Sequence, residues 1–542
     1  MVCPLLVAGL KSFLQQRVPA IRWLACASLV AVFAWSLSFF YVPGQGFTYL
    51  ISFGDKHHSR FVPELKAASH VELQDSEGYD AQYYAQIAMH PHLGDPVLAK
   101  SVDGILYRAR RILGPGLAWV LGGGNPVRAL HIFAVENLAS WLLLALLLFR
   151  WFPPLSWDRV ARWGAVLFSF GLIFSVVRAL PDGPSLLLLA SGMALLEAGR
   201  PWLGSWVLGV GGLGKDTSVL GASGLALPGS RSPRDWARWL AQAAMVVLPL
   251  ALWMGVLRLW LGRGDDIGGR NFSAPFCGLA VKLLQSVVTF VSDPRGPAER
   301  LDLVVMVGLV TQFGFFVLWR RWSDPWWRVG ASYAFLMVFL GDAVWEGYPS
   351  AGARVLLPMT LAFNILVPKG RRWLALLVIG NLGVLGSVDL LKPPGRESCV
   401  IKGPTELRVN PRDGSQVQAI FGLQNWWRPE RSRWEYWRWS LGEATVTVRN
   451  PQPFPITASL RFRLRSEDRR QAIVARAGAV LWQGSLEPDA VTKVALDGIV
   501  LPPGDTVFVF RSDRPGAPVP DRDTRKLSFS LRELVIELTG RP

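Results

Sequence analysis

The segment Ser76–His92 reads SEGYDAQYYAQIAMHPH and places a carboxylate, tyrosines and histidines directly after the first long apolar run. Its AQYYAQIAM part has helical spacing, with Tyr84, Ile87 and Ala88 on one side, so a short helix lying at the membrane surface is expected. Asp80 stands at the start of that helix, with Tyr83 and Tyr84 one turn on. A carboxylate there can cap the helix, or it can take a proton in a reaction. Two further stretches carry ionisable groups in apolar surroundings. ALPDGPSLLLL puts Asp182 at the head of a hydrophobic run, and GGLGKDTSVLG puts Lys215 and Asp216 in a glycine-rich turn. Charges at membrane depth are costly and tend to be functional. The competing explanations are an N-cap for Asp182 and a snorkelling side chain for Lys215. Acids and a cation converging on one face would suit a phosphate-bearing substrate and a hydroxyl to be deprotonated. Glu136 in FAVENLAS would line the same cavity or hydrogen-bond a neighbouring helix. Asp265 and Asp266 in GRGDDIGGRN suit a metal or an exposed turn.

These residues need elements to hold them, and the composition says which. The 542-residue chain is 51% hydrophobic and only 18% charged, below the quarter typical of soluble domains. Apolar runs long enough to cross a bilayer recur. Spans are expected near 23–42, 126–149, 163–178, 183–198, 202–230, 238–261, 301–319, 329–345, 353–368 and 372–391. The stretch 202–230 is interrupted and would hold two short crossings, giving about eleven helices. Lys11, Arg17, Arg22, Arg150, Arg159, Arg162, Arg200, Arg231, Arg234, Arg238, Arg320, Arg321, Arg328, Lys369, Arg371 and Arg372 then fall on one side. That side is the cytoplasm by the charge bias, with the N-terminus inside. Asp80, Asp182, Asp265, Asp266, Glu346 and Arg354 fall on the other. The net charge of +17 is explained by those cytoplasmic loops, which removes the case for a nucleic-acid partner.

Residues 1–395 therefore form the expected transmembrane domain, with 43–125 as its first outer loop. From 396 to 542 the pattern changes to period two. In LRFRLR, Leu460, Phe462 and Leu464 face one way and Arg461, Arg463 and Arg465 the other. An all-β, jelly-roll-like sandwich outside the membrane is expected there. Trp426 and Trp427 are candidate sugar-stacking residues, whereas Trp437 and Trp439 are assigned to its core or to the bilayer; Trp434 shares the same stretch. Cys277 and Cys399 are either a disulfide or free thiols. Gly209–Lys215 matches the spacing of a phosphate-binding loop, but Asp216 stands where Ser or Thr is needed and no strand precedes it.

GYDAQYYAQIA, the run NPVRALHIFAVENLASWLLLALLLFRW and the run ALPDGPSLLLLASGMALLEAGRPWLGSWVLGVGGLGKDTSVL together resemble the GT-C superfamily of membrane glycosyltransferases, most closely bacterial relatives of the GPI mannosyltransferase II type. The resemblance covers about 1–225; YPSAGARVLLPM is similar to a late arginine-bearing segment of such proteins. Gly78 and Tyr79 depart from that family's lead-in to the first-loop acid. The resemblance implies transfer of a sugar, with inversion, from a polyprenyl-phosphate donor to a glycan, lipid or protein acceptor outside the cytoplasm. It implies Asp80 as general base, Lys215 and Arg354 as cations facing the leaving phosphate, and Asp182 orienting the acceptor or a divalent metal such as Mg or Mn. It places the protein in a bacterial inner membrane with a periplasmic C-terminal domain. A flippase of lipid-linked saccharides, or a non-catalytic scaffold in envelope assembly, is the alternative. The sugar, the acceptor, the metal requirement and the oligomeric state are not encoded in any motif of the chain.

Overall fold

A computed structural model describes the chain apart from residues 1–3, 43, 74–75, 229–231, 263–267, 293, 295–296, 348, 393–398, 413–414, 423–424, 428–429, 432–435, 489 and 520–522, and apart from the side chains of 4–19, 297, 431, 519 and 523–524. Cys3, Arg231, Asp265, Asp266 and Trp434, with the side chains of Lys11 and Arg17, lie outside the described residues. The chain divides into two compact units. One comprises Met1–Ile51 and Asp80–Lys392; the other comprises Ser52–Tyr79 and Pro393–Pro542.

The first unit is helical. Among the described residues, Ala20–Ser38, Pro126–Arg150, Pro233–Leu261, Ala298–Leu318 and Arg371–Leu390 are long and apolar enough to cross a membrane. The pair Trp157–Leu167 and Phe170–Val177, bent by 45°, makes a sixth if counted as one span. The remaining expected crossings are shorter or interrupted helices. Asp182–Glu197 has 16 residues and Pro325–Phe339 has 15. The 202–230 stretch is the helix Pro201–Gly214 followed by a 3₁₀ run, Asp216–Gly224, because its glycines give little support to a continuous α-helix. The 353–368 stretch begins as the short helix Gly352–Val355 and resumes at Leu357, where Pro358 suits a first turn. The helix Cys277–Ser292 lies outside every expected span; its 16 residues carry Lys282 and fall short of a full crossing.

Helix starts are set locally. Asn125 accepts a hydrogen bond from Arg128 N–H (3.0 Å) ahead of Pro126, and Asp324 accepts from the N–H groups of Trp326 and Trp327 ahead of Pro325. At the other ends, arginines bind carbonyls. Arg162 donates to Asn364 O and Val367 O, and Arg328 to Ser223 O and Leu225 O.

The second unit is mostly β. One sheet has five strands in the order Ala479–Leu486, Arg470–Arg476, Gly504–Ser512, Glu443–Asn450 and Gln418–Phe421. The other runs Val491–Leu501, Ile456–Ser466, Phe529–Gly540, Tyr436–Trp439 and Glu430–Arg431, with Cys399–Lys402 added parallel to Phe529–Gly540. Both sheets contribute to one apolar core, in which Phe462 and Phe510 meet with ring centroids 5.4 Å apart. The alternation in LRFRLR holds: Leu460, Phe462 and Leu464 are buried, while Arg461 is exposed and pairs with Asp497 (3.2 Å). Trp426 packs on this core and donates its indole N–H to Thr445 O (2.8 Å), so it is not a free stacking face. Trp427 is half-buried, donates its indole N–H to Lys526 O (2.9 Å) and has the Arg525 guanidinium over its ring. Trp439 is buried and Trp437 half-buried under Arg532. Cys26 and Cys277 are free thiols, so Cys277 is not bridged to Cys399.

Within Ser52–Tyr79, Phe53–Gly54 pairs in parallel with Glu72–Leu73. Glu72 Oε1 lies 2.8 Å from His58 Nδ1 and 2.9 Å from His70 Nε2. Burial works against its charge, but the two imidazoles win and bring the carboxyl down to about 2.

Candidate functional site

The helix Ala81–Met89 follows Gly78, whose φ of +71° makes the turn. Asp80 sits at its head in an αR conformation, and its side chain makes no cap hydrogen bond. The capping explanation therefore fails, and the carboxylate is turned elsewhere. Arg108 Nη2 donates to Asp80 Oδ1 (3.0 Å). The same guanidinium grips Asp103 with two bonds, Nε to Oδ1 (2.9 Å) and Nη2 to Oδ2 (2.7 Å). Burial works against the Arg108 charge, but Asp103, Tyr84 and Asp80 together hold it well above its usual range.

Asp182 is placed by a second device. Ser175 Oγ lies 2.8 Å from Leu180 O and accepts from Gly183 N–H (2.9 Å), which fixes the turn into the helix Asp182–Glu197. A Cβ on Gly183 would come within 2.9 Å of Asn137 Oδ1, so a larger residue beside the acid would have to displace that amide. Asp182 is buried and both its oxygens are engaged. Lys215 Nζ bonds Oδ1, and Arg354 Nη1 bonds Oδ2 (3.3 Å). Lys215 reaches it from an extended residue (φ −154°, ψ 125°) between the helix Pro201–Gly214 and the 3₁₀ run. The snorkelling explanation for Lys215 does not hold, since its side chain is 8% exposed.

Between these clusters stands Arg111. It donates to the Tyr84 hydroxyl (2.6 Å) and lies 3.6 Å from Asp216 Oδ1. Asn271 Nδ2 donates to the Tyr107 hydroxyl (3.1 Å), close to the same guanidinium. Burial pushes the Tyr84 phenol up although Arg111 and Arg108 pull it down, so it stays protonated at neutral pH.

Asp80, Tyr84, Arg111, Asp182, Lys215, Asp216 and Arg354 all line one cavity of about 140 Å³, whose lining also includes the apolar Phe272, Leu336, Leu340 and Val344. Two expected site residues stand apart. Tyr83 is half-buried with its ring 5.0 Å from the Arg108 guanidinium and does not line that cavity. Glu136 lines a smaller, neighbouring cavity of about 20 Å³ that shares Tyr84 and Arg111 as its wall. Arg108, Asp103, Arg111, Tyr107 and Asn271 were not picked out by sequence reasoning. One signal was present: Arg108, Arg110 and Arg111 fall in a loop assigned to the outside, where the charge bias makes arginines scarce.

The charges are unevenly laid out. In one cluster two cations share a single buried carboxylate, Lys215 and Arg354 on Asp182. In another, one cation lies between two carboxylates, Arg108 between Asp80, which lines the cavity, and Asp103, which does not. Among the described residues no group of three or more His, Cys, Asp or Glu side chains is placed to hold a metal ion. Asp182, with both oxygens bonded to cations, does not fit a metal ligand. No protein-family model matches the chain, and no curated protein matches it at a significant level.

Proposed function

We propose that the chain is a membrane glycosyltransferase of GT-C type, moving a sugar from a polyprenyl-phosphate donor to an acceptor hydroxyl outside the cytoplasm. The observation that carries this reading is that one cavity is lined both by Lys215 and Arg354, which share Asp182, and by Asp80, which Arg108 engages. Sugar transfer with inversion needs both kinds of group. A base takes the acceptor proton on one side of C1, while negative charge grows on the leaving phosphate on the other. Asp80 is the base. Arg108 engages its Oδ1, which orients the carboxylate toward the acceptor. The acceptor oxygen forms its bond to C1, its proton passes to Asp80, and the C1–O bond breaks with its electron pair staying on the phosphate. Lys215 and Arg354 stabilise that charge as fixed donors, which costs no reorganisation during the step. The apolar lining at Phe272 and Leu340 suits the lipid side of such a donor. No step is assigned to a metal.

On this reading the shorter helices complete an eleven-crossing domain, the β unit is a periplasmic, jelly-roll-like module, and the chain resides in a bacterial inner membrane. Sugar transfer in membrane vesicles tests it, with a panel of labelled polyprenyl-phosphate sugars. Asp80→Asn should lower the rate about 10²–10⁴-fold at matched expression. Equal rates for the variant and the wild type would remove Asp80 from the chemistry.

A second reading is favoured by the interrupted helices. Breaks at Phe168–Ser169, at Leu356 and at Asn381–Gly383 fall close to a polar set of Gln312, Thr360 and Asn381. Discontinuous helices around polar groups are a feature of transporters. Translocation of a lipid-linked saccharide without transfer, measured in proteoliposomes, would support that alternative.

A further inference from the structure

Lys282 and Asp302 are 1% and 0% exposed and lie in two apolar helices, Cys277–Ser292 and Pro297–Leu318. Neither lines the cavity described above. Two charges removed from both water and lipid headgroups carry a large desolvation cost, which hydrophobic residues of the same size would avoid. A purely structural pair gives no reason for a lysine in particular. Its geometry supplies one.

Lys282 Nζ lies 2.9 Å from Asp302 Oδ1 and donates to the backbone carbonyl of Gly347 (2.9 Å). Asp302 Oδ2 accepts from Ser286 Oγ (2.6 Å), one turn along the lysine's own helix. The carboxylate is thus fixed from two sides, and the ammonium is aimed at one carbonyl. Gly347, with φ +92°, opens a tight turn closed by a bridge to Ser350. Gly352–Val355, the short helix that carries Arg354, follows at once. Two close contacts pin the same segment. A Cβ on Gly352 would come 2.5 Å from the Trp345 ring, and a Cβ on Gly171 would come 2.2 Å from Ala353 O. The turn at Gly347 is the point where a shift would carry Arg354 along the cavity wall.

We infer that Lys282 is a positioning residue: held by Asp302, it fixes the Gly347 turn so that Arg354 is presented to the anionic group of the ligand. This inference rests on the reading of Lys215–Asp182–Arg354 as the phosphate-facing cluster of the cavity. It adds a functional role for a helix that the sequence alone did not reveal.

The test is binding of polyprenyl phosphate, the leaving product, to the full chain in nanodiscs. Lys282→Met/Asp302→Leu removes both charges and the donor to Gly347. Lys282→Gln/Asp302→Asn also removes both charges but keeps a donor. We expect the first pair to weaken binding about tenfold and the second at most about twofold, a difference that desolvation alone does not produce. Arg354→Gln should weaken binding on its own and cost nothing further in the Met/Leu background, because both act through one contact. Wild-type binding by the Met/Leu protein, or losses that simply add, overturns the inference while leaving the site reading intact. If the wild type itself binds no polyprenyl phosphate, the site reading fails and the inference falls with it. Should the Met/Leu protein not fold, Lys282→Arg decides. It keeps the ion pair but cannot fit its longer head without moving Gly347, so it must also bind about tenfold more weakly, and wild-type affinity there overturns the inference.

Discussion

Arg108 is one guanidinium serving two acids. Its fork on Asp103 makes the firmer contact, and Asp80 receives the remaining bond. Arg108→Gln would leave Asp103 without its grip and Asp80 without its orienting partner. Both carboxylates are about one-third exposed (33% and 38%), so water can resolvate them. The stability loss is therefore expected near 2 kcal/mol, below the 3–5 kcal/mol of a fully buried pair. Denaturant unfolding of the full chain in detergent checks it. Transfer should fall by more than the unfolded fraction explains if Asp80 is the proposed base, since it loses its alignment. A rate that merely follows the folded fraction would reduce Arg108 to a structural role. At this scale the sequence was informative where an ionisable residue interrupts apolar sequence. Asp182 and Lys215 stand out for that reason against the surrounding LLLL and GGLG, although capping and snorkelling would explain them equally well until the fold buries both in one ion cluster. Arg108 and Arg111 do not stand out, since arginines in a polar loop look solvated until a fold buries them. Glu136 was legible as an unusual group, but only the fold separates its small cavity from that of Asp80.

The elements were legible where a helix is long and continuous, as at Pro126–Leu147 and Pro233–Leu261. They were not legible where a span is broken, because hydropathy averages over a kink. Phe170–Val177 illustrates this. It is separated from Trp157–Leu167 by a 45° bend, and it crosses the short Gly352–Val355 helix at Gly171. At that crossing the partner is backbone, which cannot rotate away. Gly171→Ala would set a methyl 2.2 Å from Ala353 O, and the two helices would have to separate. Overpacking of this kind costs about 1–3 kcal/mol. The specific expectation is a coupled effect. The shift should reach Arg354 and weaken polyprenyl phosphate binding, whereas Gly116→Ala, at a site with open space, should change neither property. If Gly171→Ala lowers stability and leaves binding intact, this crossing does not set the arginine. The β unit was the easier case, since alternation in LRFRLR has one physical meaning, a strand with one face buried. Its tryptophans were harder, because stacking on sugar and packing on core use the same side chain.

For the whole molecule, the question is which side of the membrane holds the cavity. The charge bias of the sequence leads to the expectation that this side is the outside, and the proposed donor chemistry requires it. Cys277 offers a direct reading. It is a free, exposed thiol that opens the helix Cys277–Ser292, just after Asn271 and Phe272, which line the cavity. Cys26 and Cys399 are buried. A membrane-impermeant maleimide should therefore label the intact spheroplast through Cys277, and Cys277→Ser should abolish that label. Labelling that requires lysis would put the cavity on the cytoplasmic side. There Asp80 would face soluble activated sugars, and the case for a polyprenyl-phosphate donor would be lost even if transfer itself were observed. Labelling from outside would place Lys215, Asp182 and Arg354 where a lipid-linked phosphate is presented, and would make the donor panel, rather than a nucleotide-sugar panel, the correct assay.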